Sequence, residues 1–277
     1  MPYFTTKDAC RLYYEMQGLA PWKPVVVFLN GTLQDTRYWK PQTHALKEHF
    51  QVLRYDARAQ GQSDLGQKGL TLESHAADLA GLLDHLGVDK AHLVGLSHGA
   101  RVALAFASVS PQRVARLVLC SISAETTCRA RLIVNSWLQV LKRSGLEAMV
   151  WVCLPLVLGE AFLKKKERIL DAIVKSIVAS NAEEAVIAQL EALAAYPSFS
   201  QIAKNIHAPC LIISASDDPL VTEEGARDLA GLCRGHHEHI VGIGHSIAAE
   251  APGWFNKTLL AFLSSDGRLD NEKMSLH

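Results

Sequence analysis

No run of eighteen apolar residues occurs anywhere in the chain, and a helix needs about that length to cross a bilayer, so no membrane span is expected. Charge of one sign is also missing. The 28 basic residues equal the 28 acidic ones, and no basic stripe with interleaved aromatics appears, so nucleic acid is not an expected partner. None of the 12 histidines pairs with another at H-x-x-x-H or H-E-x-x-H spacing, so no metal is expected, and no other cofactor either. The six cysteines, Cys10, Cys120, Cys128, Cys153, Cys210 and Cys233, form no C-x-x-C. Several lie in apolar runs, where a thiol acts as a small hydrophobe. The opening Met1-Pro2-Tyr3-Phe4-Thr5-Thr6-Lys7-Asp8 lacks a basic-then-apolar leader pattern, and with reduced thiols this leads us to expect a cytoplasmic location.

What the chain does have is strand-helix alternation on either side of one interruption. Short antiparallel strands are expected within 3–17, then strands near Val25–Leu29, Gln51–Tyr55, His92–Leu96, Val114–Cys120, Pro209–Ser214 and His237–Val241. Leu72, Leu79, Leu82, Leu83 and Leu86 recur at helical spacing. Such alternation predicts a mostly parallel sheet covered on both faces, and 277 residues with 49% hydrophobic content suit one large core with an insertion. The core is assigned to 1–122 and 201–277, and a helical lid insertion to 123–200. A bend is expected at Pro155, and the polar residues from Ser265 on should fray.

Ser97 stands where the apolar run His92–Leu96 breaks at a G-x-S-x-G turn and re-emerges as a helix. A serine hydroxyl is a weak nucleophile unless a sharp turn projects it toward a base, and glycines two before and two after keep neighbouring chains clear. Ser97 is therefore the candidate nucleophile. The strand Leu211–Ala215 ends in Ser216-Asp217-Asp218-Pro219, where a carboxylate emerges at the carboxyl edge of the sheet. Asp218 is preferred as the acid, Asp217 is its rival, and either could instead cap the helix beginning near Thr222. His245, flanked by glycine in a loop after the last strand, is the candidate base.

The other histidines are assigned plainer roles. His98, beside the nucleophile, should turn its ring away and serve as a pocket or surface residue. His44, His49, His75, His85 and His92 read as surface positions, and His236, His237 and His239 as solvated edge positions. Acyl transfer also needs donors for a developing oxyanion. The backbone N–H of His98 at a helix start and that of Thr32 in the loop after Val25–Leu29 are the candidates.

Together these segments resemble the α/β-hydrolase family: Leu29-Asn30-Gly31 where the family has His-Gly, Tyr55 to Asp64 for its D-x-R-G-x-G-x-S turn, Gly95 to Gly99, Asp218-Pro219 and Gly244-His245. The resemblance implies an α/β-hydrolase fold with a Ser97, Asp218, His245 triad and oxyanion donors at Thr32 and His98. Two departures stand out. Asn30 in place of histidine should alter the mouth of the oxyanion loop, and Ala59-Gln60 in place of Gly-His should affect only local packing.

Within the insertion, Trp137, Leu138, Val150, Trp151, Leu154, Leu156, Val157, Leu158 and Phe162 are candidates to line an acyl-sized cavity, though each could equally pack helix on helix. From Arg129 to Lys175, nine basic residues face four acidic ones. That excess reads first as a solvated face and second as a match for an acidic leaving group, such as an acyl carrier protein. The expected activity is serine-type hydrolysis of a small-molecule carboxylic ester. The segment Asn30 to Gln42, with Asp35, Arg37, Trp39 and Pro41, is also similar to the enol-lactone hydrolases, and the overall layout to carrier-linked methyl ester esterases. C–C bond hydrolysis, cofactor-free oxygenation and a non-catalytic receptor are the alternatives on the same fold.

Overall fold

Eight strands and eleven α-helices follow one another in a computed structural model that describes residues 2–265. They are β1 (Tyr3–Thr5), β2 (Arg11–Gln17), β3 (Val25–Leu29), α1 (Lys40–Leu46), β4 (Gln51–Tyr55), α2 (Leu72–His85), β5 (Ala91–Leu96), α3 (His98–Val109) and β6 (Val114–Cys120). Then come α4 (Cys128–Val157), α5 (Glu160–Lys166), α6 (Leu170–Ala179), α7 (Glu183–Ala195), α8 (Ser200–Ala203), β7 (Cys210–Ala215), α9 (Glu223–Leu232), β8 (His236–Ile240), α10 (Ile247–Glu250) and α11 (Pro252–Ser264). The expectation of fraying from Ser265 on concerns residues that, after Ser265 itself, lie outside those described.

The strands form one sheet in the order β1-β2-β4-β3-β5-β6-β7-β8. β1 and β2 pair antiparallel, β2 meets β4 antiparallel, and every pairing from β4 to β8 is parallel. β3, β5 and β7 are buried along their whole length, so their sequences are nearly continuous apolar runs rather than alternating ones. Helices α2, α3 and α9 bury leucines and alanines on one face of the sheet, and α1, α10 and α11 cover the other. Among the described residues no helix is long and apolar enough to cross a membrane. None of the six cysteines is in a disulfide.

Between β6 and β7 the chain is wholly helical and carries an apolar cluster of its own, built on Trp137, Leu141, Met149, Val174, Val186 and Leu190. The break in its long helix differs from the expectation. α4 runs through Pro155, which cannot donate to the carbonyl four residues before it, and the helix ends only two residues later. The interruption is at Gly145, whose φ of 82° suits a residue without Cβ, and the helix restarts with Glu183 accepting the Leu146 N–H at 3.1 Å.

The arginine of the 55–64 turn closes the amino-terminal edge. Arg58 is buried and forks onto Asp78, Nε to Oδ2 at 2.6 Å and Nη2 to Oδ1 at 2.7 Å, while Nη1 reaches Asp8 at 3.1 Å. The guanidinium holds the Asp8 carboxyl well below the usual carboxylate range. Arg58→Ala would strand Asp78 without its cation and should cost about 3–5 kcal/mol, the scale for breaking a buried ion pair from one side. Urea unfolding would read this as a lower midpoint, with Arg58→Lys recovering only part because it lacks the fork.

Candidate active site

β5 delivers Ser97 into a turn with φ 53° and ψ −114°, a conformation non-glycine residues seldom adopt, before α3 begins at His98. The flanking glycines permit it by close approach. A Cβ on Gly99 would lie 2.2 Å from the Leu29 carbonyl oxygen, and one on Gly95 would lie 2.5 Å from the Gly99 carbonyl oxygen. The turn is pinned by the Ser97 N–H donating to Cys120 O at 2.9 Å across the sheet. Ser97 opens onto a cavity of about 760 Å³ enclosed between the carboxyl ends of the strands and the helical insertion, and His245 lines the same cavity.

β7 leads into the loop that holds both acidic candidates, and they separate cleanly. Asp218 is buried, and its Oδ2 lies 2.7 Å from His245 Nδ1. Its Oδ1 accepts the Leu220 and Val221 N–H groups at 2.8 and 3.2 Å, which fixes the carboxylate. Asp217 is exposed and instead accepts the Ser216 hydroxyl at 2.7 Å. Capping of α9 falls to neither, since Thr222 accepts the Gly225 N–H. With a carboxylate accepting at Nδ1, the imidazole carries its proton there and leaves Nε2 as the basic nitrogen.

The histidine loop has a brace that sequence reasoning missed. Glu250 accepts the N–H groups of Gly244 at 3.0 Å, Ser246 at 3.2 Å and Gly159 at 2.8 Å, so one carboxylate ties the loop to the junction of α4 and α5. Burial raises its pKa. A glutamate five residues after a histidine, at the end of a short helix, carries no pattern that would single it out.

The loop after β3 turns at Gly31–Gln34, where Gln34 N–H donates to Gly31 O and Gln34 Oε1 accepts the Gly31 N–H at 2.8 Å. Thr32 occupies a central position of this turn and lines the cavity beside Ser97. The His98 N–H opens α3, where no carbonyl of the helix itself can accept it.

Both departures from the family pattern act differently from expectation. Asn30 does not shape the mouth of the loop; it is buried behind it, donating to Tyr55 O and Asp56 Oδ1 at 3.1 Å and accepting from Trp39 Nε1 at 2.9 Å. Gln60 does more than pack locally. Its Nε2 donates to Gly31 O at 3.1 Å, and Gln189 of α7 donates to Ala59 O at 2.6 Å, so the 55–64 turn joins the Gly31 loop to the insertion.

Three histidines are also placed differently. His98 is neither a pocket nor a surface residue: its ring is buried, 3.1 Å from the Tyr196 hydroxyl and edge-on to His75 with centroids 4.8 Å apart. His75 and His92 are buried rather than at the surface, because their helix and strand face the sheet core at those positions. Of the nine apolar candidates in the insertion, Trp137, Val150, Leu154, Val157, Leu158 and Phe162 line the cavity; Leu138, Trp151 and Leu156 do not.

Comparison with known proteins bears on the family and the fold. Residues 24–145 match the family model described as alpha/beta hydrolase fold. A putative carbamate hydrolase, RutD, of Yersinia enterocolitica is 30% identical over 271 residues, spanning 96% of this chain and 97% of that protein. The chain belongs to the α/β-hydrolase family. A 3-oxoadipate enol-lactonase of Acinetobacter baylyi is 26% identical, over 87% of this chain and 89% of its own. The crystal structure of the enol-lactonase from Burkholderia xenovorans superposes with a TM-score of 0.87 at 28% identity, covering 95% of this chain and 100% of that one.

Burial and the nearby Arg101 charge push the His98 pKa down from 6.5 to about 4. The unfolded chain protonates this side chain near pH 6.5, whereas the folded one resists until about pH 4. Stability from holding it neutral is therefore complete above 6.5 and lost as pH falls toward 4, about 3 kcal/mol in all. Urea midpoints from pH 7 to 4 should fall less steeply in His98→Met than in the native protein.

Proposed function

We propose that the protein is a serine hydrolase of carboxylic esters that works through an acyl-enzyme. The observation that carries this reading is the 2.7 Å hydrogen bond from His245 Nδ1 to the buried Asp218 carboxylate, at the rim of the cavity onto which Ser97 opens. In this reading His245 Nε2 takes the Ser97 proton as Oγ attacks the ester carbonyl, then returns it to the departing alcohol. Asp218 keeps the imidazole in the right tautomer and stabilises its protonated form. The oxyanion is met by the Thr32 and His98 N–H groups, the second of which gains from the positive end of α3. Water then repeats the sequence on the acyl-enzyme.

The cavity supports a substrate with an apolar portion of some size. Its wall on the insertion side is mostly aliphatic and aromatic, including Trp137, Met149, Val150, Leu154 and Leu190. A lactone is the second reading, favoured by the names of the two enol-lactonases; the leaving alcohol would then stay tethered to the acyl group. For a carrier-linked ester, the surface proposed to meet the carrier is Lys164 to Lys166, where the Lys166 ammonium lies over the Phe162 ring at the cavity wall.

A fluorophosphonate probe should label Ser97 rapidly, and Ser97→Ala should abolish both labelling and ester turnover. Asp218→Asn should lower kcat by about 10³- to 10⁴-fold, the scale for a triad whose imidazole loses its tautomer control. An unlabelled Ser97 in a catalytically competent sample would point instead to C–C cleavage or oxygenation, and a Ser97→Ala variant that binds ligand normally with every measured activity untouched would point to a receptor.

A further inference from the structure

Arg101 sits one helical turn beyond Ser97, its backbone N–H donating to Ser97 O at 3.1 Å. Side chains four apart share a helix face and lean toward the amino terminus, so the Arg101 side chain leans back toward the nucleophile. It lines the same cavity as Ser97 and His245. Its Nε is buried without a hydrogen-bond partner, and no carboxylate pairs with it among the described residues. The guanidinium carbon stands 5.5 Å above the Phe199 ring, and burial pushes its pKa below the ordinary guanidinium value.

The neighbours offer no countercharge. Tyr196 donates its hydroxyl to Leu70 O, and burial raises its pKa, so it stays a neutral phenol. His98 and His75 have depressed pKa values. Asp35 is the acidic group in the cavity lining, and Arg37 already forks onto it at 2.5 to 3.0 Å. Arg131, the remaining arginine of that lining, is exposed, so water screens its charge, and its Nη1 donates to the Thr126 carbonyl at 2.5 Å. Arg101 is half-buried, with its Nε out of contact with water and unpaired, whereas the two fully buried arginines among the described residues, Arg54 and Arg58, each have a carboxylate.

We infer that Arg101 is the specificity residue for the substrate, binding a carboxylate carried on the acyl part, so that the substrate class is the monoesters or lactones of short dicarboxylic acids. The inference rests on the hydrolase reading above for the position of the scissile carbonyl. A helical turn rises about 5.4 Å, so a carboxylate a few bonds from that carbonyl spans from Ser97 to the guanidinium. Planar and permanently charged, the fork accepts both carboxylate oxygens at once.

The test separates binding from turnover. Monomethyl glutarate and its neutral isostere, the methyl ester of glutaric acid monoamide, are titrated calorimetrically into Ser97→Ala, which cannot consume them. The acid should bind about 10- to 150-fold more tightly than the amide, the range for hydrogen bonds to a charged group. Adding Arg101→Met should erase that preference while changing amide affinity by less than about threefold, and Arg101→Lys should retain part of it. Thermal unfolding of Arg101→Met should match or exceed the native midpoint, because a half-buried charge without a carboxylate partner has been removed. An acid bound no better than the amide, a preference that survives Arg101→Met, or a variant that no longer folds would each overturn the assignment. Should the native protein hydrolyse neither compound and Ser97 also resist the fluorophosphonate probe while the binding preference holds, the hydrolase reading fails and the carboxylate site stands.

Discussion

The approach of α3 to the end of β3 is the constraint on which the rest of the site depends. Gly99 brings the first turn of the helix against the Leu29 carbonyl, closer than any side chain could pass. That contact accompanies the positive-φ turn at Ser97, and it also sets the Gly31–Gln34 loop beside Ser97, because the loop leaves from the same strand end. Two features that look separate in the sequence, a serine elbow and an Asn-Gly turn, are thus one packing arrangement.

Around that arrangement the insertion is fastened to the core by polar links as well as by a small shared apolar cluster of Ala59, Leu70 and Ala185. Gln189 holds the 55–64 turn, Asn181 Nδ2 donates to Leu33 O at 3.3 Å, Arg37 bonds Ser180, and Glu250 holds Gly159. Hydrogen bonds of this kind contribute about 1 kcal/mol each in net terms. They position the insertion over the strand ends while leaving a large cavity beneath it.

The sheet was legible because burial on both faces turns strands into short apolar runs, and each one found in the sequence appears within a residue or two of its place in the fold. The acid could not be settled between Asp217 and Asp218 from spacing alone; backbone donors from Leu220 and Val221 decide which carboxylate turns inward. His75 and His98 misled because imidazole is polar on any scale, yet two such rings packed edge-on can be buried neutral. Pro155 draws the eye in the sequence because it lacks an N–H, yet the helix stops just beyond it and the interruption falls at Gly145, where a positive φ is needed. Arg101 was within reach: its spacing of four from Ser97 fixes a shared helix face, but what surrounds it depends on Phe199 and Tyr196, almost a hundred residues away.

Glu250 gives the molecule a property beyond its individual bonds. One of its oxygens accepts from Gly159 of the insertion and from Gly244 of the imidazole loop together. Any shift of the insertion at Gly159 would alter that oxygen's hold on the loop of His245 in the same movement. The seating of the insertion and the placement of the imidazole are therefore linked quantities, and whatever tightens one tightens the other by an equal free energy.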